Sequence, residues 1–322
     1  MNYLITGGAG FIGSNIAAEL TKRGEQVRII DNYSTGNRGN IRDFESSMEI
    51  IDGDIRDFWT VRDAVEGVDF VLHQAALPSV PRSVKNPLTS NSVNIDGTLN
   101  ILEASRQAAV KRVVLASSSS IYGDTPELPK REEMRTKPLS PYAVTKLANE
   151  KYAEVFYELY GLETVALRYF NIFGPRQDPD SEYSAVIPKF INALQLKKPP
   201  IVFGDGEQSR DFTFVENAVQ ANLLATTAEN AVGKYYNIAC GARYTLNELI
   251  VLLKEIIGVD IQPRYDPPRP GDILHSYADI SNARHDLGYK STVDFKEGLR
   301  RTVAWFSKQL NSNTPVGGIK VN

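Results

Sequence analysis

Tyr3-Leu4-Ile5-Thr6-Gly7-Gly8-Ala9-Gly10-Phe11-Ile12-Gly13 is the stretch whose reading decides the fold. Tyr3 to Thr6 is a short apolar run that reads as a strand. Ile12, Ile16 and Leu20 then repeat at helical spacing. The glycines between them therefore occupy a strand-to-helix turn. Gly7 permits the tight turn, Gly10 lets a pyrophosphate approach the backbone, and Gly13 lets helix and sheet pack closely. Free N–H groups at the helix start attract the anion. A glycine-rich loop alone is weak evidence, because many plain turns use glycine; the strand–turn–helix setting makes this one a dinucleotide signal. Asp31 ends the next strand, Gln26 to Ile30, about 20 residues past the loop. A carboxylate there can bond the adenosine ribose hydroxyls and would repel a 2′-phosphate. NAD is favoured over NADP, with Arg38 nearby as an opposing feature. Asp54-Ile55 falls where an adenine ring would be edged; a turn-capping carboxylate is the equal alternative for Asp54.

Outward from this turn, strands expected at Met48 to Ile51, Phe70 to His73, Arg112 to Ala116 and Thr164 to Leu167 are interleaved with helices at Asn94 to Ala108 and Tyr142 to Tyr160. In the latter, Leu147, Tyr152, Val155, Phe156 and Leu159 are expected on the apolar side. Such alternation argues for a parallel sheet covered on both faces. After Phe170 the texture changes. Gly174 to Pro179 reads as a loop, Val186 to Leu196 as a helix, Ile201 to Phe203 as a strand and Leu246 to Ile257 as an amphipathic helix. Pro263 to Gly271, with its prolines, is expected to be irregular. A last helix is placed near Phe295 to Lys308, and the polar tail 312–322 is expected to fray. The expected organisation is a nucleotide-binding domain over 1–170, to which about 214–238 returns, and a smaller domain from 171–213 and 239–311 capping the sheet's carboxyl edge.

The chain has 322 residues, 42% of them hydrophobic, and a net charge of −3. No basic stripe interleaved with aromatics is present, so nucleic acid is not an expected partner. No apolar run approaches the roughly 20 residues that span a bilayer, so no membrane association is expected. The start of the chain carries no signal-peptide pattern, and a cytoplasmic location is the expectation. The single cysteine, Cys240, excludes an internal disulfide and fits a reducing compartment and a packing role. His73, His275 and His285 lack metal-ligand spacing, so no metal is expected. His73 reads as packed and His275 as a neighbour of a pocket. Asp57 and Asp63 read as solvent-facing, and Trp59 and Trp305 as core anchors.

Tyr142-Ala143-Val144-Thr145-Lys146 puts a tyrosine and a lysine four apart, on one helix face. With 15 tyrosines in the chain, random placement yields about one such pair, so its position is what counts. It opens the helix before the sixth strand, while Ser117-Ser118-Ser119-Ser120 ends the fifth. Strand carboxyl ends and helix starts meet at the cleft of such sheets. A free tyrosine has a pKa near 10, so acting as a base at pH 7 requires roughly 4 kcal/mol of assistance. A lysine ammonium one turn away favours the phenolate, and so would a positive nicotinamide ring. The phenolate can take the proton of a sugar hydroxyl while hydride leaves for the cofactor. A serine hydroxyl can share and orient that proton.

Eight motifs in order, GGAGFIG (7–13), DNYSTG (31–36), QAAL (74–77), SSSSIYG (117–123), PYAVTK (141–146), LRYFNIFGPRQ (167–177), SRDFTFVEN (209–217) and RPGD (269–272), carry a resemblance over nearly the whole chain, as far as Ala278-Asp279. The sequence resembles the extended short-chain dehydrogenase/reductase superfamily, and within it the UDP-sugar 4-epimerases, most nearly the UDP-N-acetylglucosamine 4-epimerase group. The resemblance implies an α/β fold with a doubly wound parallel Rossmann-type sheet and a smaller α/β substrate-binding domain. It implies a homodimer through the helices near 94–108 and 142–160. It also implies a cycle rather than a net oxidation: tightly held NAD oxidises the sugar at C4, the 4-keto sugar swings about its bond to the diphosphate, and hydride returns to the other face.

In that family pattern Tyr142 is the base, Lys146 its tuner and ribose anchor, and Ser118 the hydroxyl partner, four residues before the tyrosine of Tyr122-Gly123. NAD contacts are implied at Gly7, Gly10, Phe11, Ile12, Gly13, Asp31, Asn32, Ser34, Thr35, Gly36, Asp54, Ile55, Gln74, Ala75, Ala76, Leu77, Asn94 and Phe170. Asn171 matches the asparagine on the diphosphate-sugar, and Ala185 and Val186 fall where backbone groups meet uracil. Lys189 and Phe203 are implied substrate contacts. Arg210 and Arg269 match arginines on the diphosphate, where two fixed forks of donors suit two phosphates. Asp272 matches a carboxylate on the uridine ribose.

Sugar 4,6-dehydratases carry a carboxylate just after the serine or threonine, where this chain has Ser119 and Ser120, so dehydration lacks its acid. UDP-glucuronate 4-epimerases are the nearest competitor; they tend to have threonine at the position of Asn171 and another loop at Pro175-Arg176-Gln177. Ser276 matches one wall of the sugar pocket, where a small residue leaves room for a 2-acetamido group; Ser79, Ser119 and Gln177 match lining positions. The implied reaction is UDP-N-acetylglucosamine/UDP-N-acetylgalactosamine interconversion, with UDP-glucose/UDP-galactose as a possible second pair. A net NAD(P)-dependent oxidoreductase that releases its cofactor each turn is the alternative.

Overall fold

The computed structural model describes residues 1–179, 185–268 and 274–311. Arg269, Asp272 and the tail 312–322 lie outside the described residues. Seven strands form one wholly parallel sheet: β1 (Asn2–Thr6), β2 (Gln26–Asp31), β3 (Glu49–Asp52), β4 (Phe70–His73), β5 (Arg112–Ser118), β6 (Glu163–Tyr169) and the strand Lys234–Ile238. In space the order is Lys234–Ile238, β6, β5, β4, β1, β2, β3. The strand order reverses beside β1, at the end of which the glycine turn begins. Along β1 the side chains alternate between the two faces, so Ile5 joins one buried cluster and Leu4 the other. The cluster containing Ile5 runs on without a break through Phe170, Phe173, Phe212, Leu249 and Phe295. The elements after β6 thus share a core with one face of the sheet.

Local chemistry sets the element ends. The helix Pro141–Tyr160 starts where the Ser140 hydroxyl accepts the Ala143 N–H, with proline in the first position, and stops at Gly161 in the left-handed region. The helix Leu246–Ile257 begins in a reciprocal Thr245–Glu248 capping box. Among the described residues, no helix is long and apolar enough to cross a membrane.

Four expectations need correction. The helix at Pro141–Tyr160 does not bury its apolar residues as a set. Phe156 is buried, but Tyr152, Val155 and Leu159 are exposed, and the inward face carries Thr145, Lys146, Asn149 and Glu150. Trp59 is no core anchor. It is 63% exposed with the Arg62 guanidinium 4.6 Å from its ring, while Val61, Ala64 and Val65 fill the inward side of that helix. The proline-rich segment is not wholly irregular: Arg264–Asp266, between Pro263 and Pro267, pairs in parallel with Ile201–Phe203. The Asn94 helix is not uniform, since a π-type turn over Ser92–Asp96 precedes the α-helix Gly97–Gln107.

The glycine turn is tighter than the spacing alone conveys. Gly7 has φ +66°, and its N–H donates to the Ile30 carbonyl at 2.8 Å. A Cβ at Gly13 would stand 2.2 Å from the Gly7 carbonyl oxygen. Gly13 therefore permits the helix Phe11–Lys22 to sit on the turn itself, rather than on the sheet as expected. Gly13→Ala should lower the melting temperature, by a stability loss of about 1–3 kcal/mol typical of overpacking, and should release NAD. Thermal melts and the absorbance of the purified protein check this; an unchanged melt with NAD retained would show that the turn relaxes freely.

Candidate functional site

The helix Phe11–Lys22 is capped by Gly10, which offers no side-chain acceptor to the first-turn N–H groups. These donors and the glycine-lined turn make a cradle that fits a pyrophosphate. Phe11 and Ile12 lie half-buried at its rim. Asp31, at the end of β2, is buried, and its carboxylate accepts N–H bonds from Ala9 (2.9 Å) and Tyr33 (2.8 Å). Burial pushes its carboxyl group up, and these backbone donors work against that shift. Gly36 presses on the same carboxylate: a Cβ there would be 2.8 Å from both oxygens. Ser34 and Thr35 are exposed beside it. Arg38 is committed elsewhere, to Asp52 at 3.0 Å and to the Tyr33 ring at 4.5 Å.

Asp54 shows the turn-capping geometry. It accepts the Arg56 N–H (2.9 Å), the Arg56 guanidinium and the Asn32 amide (2.8 Å). The Arg56 bond leads the causes that hold its carboxyl group down at about 2. Ile55 is buried against Gly97. Asn94 ties together two candidate loops, accepting the Leu77 N–H (2.7 Å) and donating to the Thr145 hydroxyl (3.1 Å). Gln74 accepts from the Tyr169 hydroxyl and donates to Asn222, and the Ala75 N–H meets Thr6. Ala76 is half-buried between these anchors, and Phe170 is fully buried at the end of β6.

Tyr142 and Lys146 lie on successive turns of the helix Pro141–Tyr160, with the Lys146 ammonium 6.0 Å from the Tyr142 ring centre. The structure joins Ser118 to them: its side chain lies within reach of the Tyr142 hydroxyl and acts on its ionisation, while the Ser118 hydroxyl oxygen accepts the Ser120 N–H at 3.2 Å. Lys146 donates to the Ala116 carbonyl at 2.6 Å. Burial lowers the Lys146 pKa to about 8, and the Glu150 charge opposes the drop. The expected lowering of Tyr142 by Lys146 is absent in the protein alone. Burial pushes the Tyr142 hydroxyl up, and only the Ser118 side chain works the other way. His73 is packed as expected, between the hydroxyls of Thr6 (2.7 Å) and Thr98 (2.9 Å), and is kept neutral by burial and by the Lys146 charge.

Beyond β6, a cavity of about 270 Å³ gathers Asn171, Ala185, Val186, Phe203 and Arg210. Gln208, Phe212 and Leu246 share its wall and were not foreseen; Gln208 donates to the Phe203 carbonyl at 2.7 Å. Lys189 lies one turn along the helix Val186–Gln195. Arg210 is braced by the carbonyls of Ser209 and Leu274, both at 3.0 Å. The Ser276 N–H donates to the Ser209 carbonyl, which sets Ser276 beside Arg210. Exposed His275 bonds the Ser209 hydroxyl. Asp211 received no role from its motif, yet its carboxylate accepts the N–H groups of Cys240 (2.9 Å), Gly241 (3.1 Å) and Ala278 (3.4 Å) and so ties three segments behind the cavity. Ser79 caps the helix Val80–Lys85, Ser119 opens the turn after β5, and Gln177 follows the strand Ile172–Phe173. The buried Gln177 carbonyl oxygen has no donor among the described residues. Tyr33, Ser79, Asn171 and Arg176 all hold positive φ, a strain that clusters at working sites. Among the described residues no group of His, Cys, Asp or Glu could hold a metal.

A proton held by Lys146 only below about pH 8 sets one test. Turnover should fall as pH rises through about 8, and Lys146→Ala should leave a residual rate lower by about 10²-fold or more without that alkaline limb. A pH–rate profile checks both; a flat alkaline side in the native protein would separate Lys146 from the rate.

The chain is similar to known proteins over nearly its full length. A solved UDP-N-acetylglucosamine 4-epimerase from Methanobrevibacter ruminantium M1, in complex with UDP-N-acetylmuramic acid, is 43% identical and superposes with a TM-score of 0.92, covering 96% of this chain and 98% of that one. A putative UDP-glucose 4-epimerase of Methanocaldococcus jannaschii is 41% identical over 94% of this chain and 97% of its own length. A UDP-glucuronic acid 4-epimerase from Bacillus cereus, solved with UDP-glucuronic acid and NAD, is 31% identical with a TM-score of 0.88, covering 96% and 99%. Residues 3–239, which hold the glycine turn, Ser118, Tyr142 and Lys146, match the family described as the NAD dependent epimerase/dehydratase family, and the chain belongs to it.

Proposed function

We propose that this isomerase interconverts UDP-N-acetylglucosamine and UDP-N-acetylgalactosamine, and that Tyr142, Lys146 and Ser118 carry the reaction. The observation that supports the chemistry best is the gathering of Ser118, Tyr142 and a buried lysine, whose ammonium lies 6.0 Å from the Tyr142 ring centre and is held by the Ala116 carbonyl. NAD, when bound, supplies a hydride acceptor for C4 and a positive charge near the tyrosine. Tyr142 takes the proton from the sugar 4-hydroxyl at its phenolic oxygen and returns it to the product. Ser118 orients that proton, and Lys146 holds positive charge beneath the ring. In the protein alone Tyr142 is pushed up by burial, so the tyrosine becomes a base only in the loaded site. That coupling keeps proton removal in step with occupancy.

The substrate end follows the same logic. Asn171, Ala185, Val186, Phe203 and Arg210 line the cavity of about 270 Å³, which suits the uridine and its diphosphate; Lys189, Arg269 and Asp272 complete the set on the family pattern. Ser276 is the small wall residue, and Ser79, Ser119 and Gln177 border the same sugar. The Gln177 carbonyl oxygen, without a donor among the described residues, is an acceptor of the kind an acetamido N–H satisfies. The NAD-binding part comprises 1–170 with the return of 214–238, and the UDP-sugar part comprises 171–213 and 239–311. Two copies of the chain pair through the outer face of the helix Pro141–Tyr160, where Val144, Tyr152, Val155 and Leu159 form one exposed apolar stripe.

Incubation with each of the four UDP-hexoses without added cofactor, with products resolved by anion exchange, tests the reading. Each acetamido sugar should convert to its C4 epimer; a requirement for added NAD would favour a net oxidoreductase. Ser276→Tyr should cut acetamido turnover about tenfold or more and spare UDP-glucose. Equal loss on both pairs, or none, would remove the pocket-wall basis. Val155→Glu with Leu159→Glu should yield a monomer by light scattering; a native protein already monomeric contradicts the pairing.

A further inference from the structure

One face of the helix Pro141–Tyr160 grips three consecutive residues at the end of β5. Lys146 holds the Ala116 carbonyl at 2.6 Å and Glu150 accepts the Ser117 hydroxyl, and Tyr142 stands within reach of the Ser118 side chain. Tyr142, Lys146 and Glu150 are spaced four apart, so each stands one turn from the next. The first two belong to the reaction proposed above, and Glu150 has been assigned nothing.

Glu150 is only 2% exposed and so is its partner, Arg168 of β6. The pair is two-pronged, at 2.9 and 2.8 Å. Arg168 stands in register with Ser117 on the neighbouring strand. Its Nη1 donates to the Tyr122 hydroxyl (2.8 Å) and the Glu132 carbonyl (3.1 Å). The segment that carries Ser118 is thereby fixed at both ends, at Ser117 through Glu150 and at Tyr122 through Arg168. A fully buried ion pair is a poor source of stability, because desolvation offsets its attraction and apolar replacements often do as well. Its geometry is specific where its stabilisation is not.

We propose that Glu150, held by Arg168, is a positioning residue for the reaction, clamping Ser117–Tyr122 so that the Ser118 hydroxyl stays aligned with Tyr142. The inference rests on the epimerase reading of that site. Glu150 also supports the charge on Lys146. The titratable or charged groups facing Lys146 are Tyr142 and Glu150 on its own helix, neutral His73 on β4, and Arg168 behind Glu150 on β6.

The test uses the NAD-containing protein and UDP-hexoses without added cofactor. Ser117→Ala removes the clamp's hydroxyl while leaving Glu150 paired, so the fold should hold. Its kcat should fall about tenfold with KM and bound NAD unchanged, and Ser117→Thr should restore most of the loss. Glu150→Gln should move the alkaline limb of kcat to lower pH, and adding Arg168→Met, which removes the stranded cation, should bring the limb back towards the native position. A Ser117→Ala kcat within twofold of native, a loss shared by KM and bound NAD, or an unmoved limb in a folded Glu150→Gln would overturn the proposal. Should Glu150→Gln not fold, the Ser117 pair decides. If the native protein converts no UDP-hexose, the epimerase reading fails and the clamp falls with it; if the native protein turns over and the variants match it, the clamp alone fails.

Discussion

A wholly parallel sheet brings the carboxyl ends of all its strands to one edge, and the candidate nucleotide and reaction groups of this protein depend on that constraint. β1 delivers the glycine turn there, β2 delivers Asp31, β5 delivers Ser118 and β6 delivers Asn171 two residues beyond its end. The helix Pro141–Tyr160 must then run back from that edge to reach the start of β6. Its first turn is therefore forced to lie beside the end of β5. The crossover thus brings Tyr142 and Ser118 to the same edge.

The same crossover explains the polar inward face of that helix. A helix against a sheet ordinarily buries an apolar stripe. Here Lys146, Asn149 and Glu150 point inward, and the apolar residues Tyr152, Val155 and Leu159 point out. Buried polar groups need partners; Lys146 and Glu150 find them in the end of β5 and in Arg168, while the Asn149 amide oxygen has none among the described residues. Apolar packing resists separation but tolerates sliding. Hydrogen bonds and a two-pronged ion pair do not, so they fix the register of helix against strand.

The strands and most helices were legible because hydrophobic periodicity reports burial, and the sheet interior is apolar on both faces. Periodicity misled where burial and polarity part company. Tyr152, Val155 and Leu159 have helical apolar spacing but face outward, and Trp59 has the size of a core residue without the position of one. The parallel pair at Arg264–Asp266 escaped notice because three residues between prolines carry no period. Ser118, Tyr142 and Lys146 could be named from motif and position, and the structure brings them together. Glu150, Arg168 and Asp211 could not, since a buried ion pair and a carboxylate that collects backbone N–H groups look in a sequence like any surface charge. Gln208 and Leu246 reach the cavity only through the folding of distant segments.

The positive φ of Ser79, Asn171 and Arg176 bears on how far the backbone around the cavity can move. Each lies in a connection, not in the sheet, and each is held in a conformation that L side chains adopt at a cost of order 1–3 kcal/mol. Such positions stay in place only if their surroundings over-determine them. Asn171 is so fixed: its carbonyl accepts the Thr213 N–H (3.2 Å) as the strands Ile172–Phe173 and Thr213–Phe214 pair. Arg176 is anchored to Ser14 and Asn15 on the first helix. The connection that runs on from Asn171 at the cavity is thus tied to the helix that follows the glycine turn, and it offers little freedom to move. If the site is to vary, side chains rather than this backbone are the place for it, because their size can change without disturbing a connection that the first helix also holds.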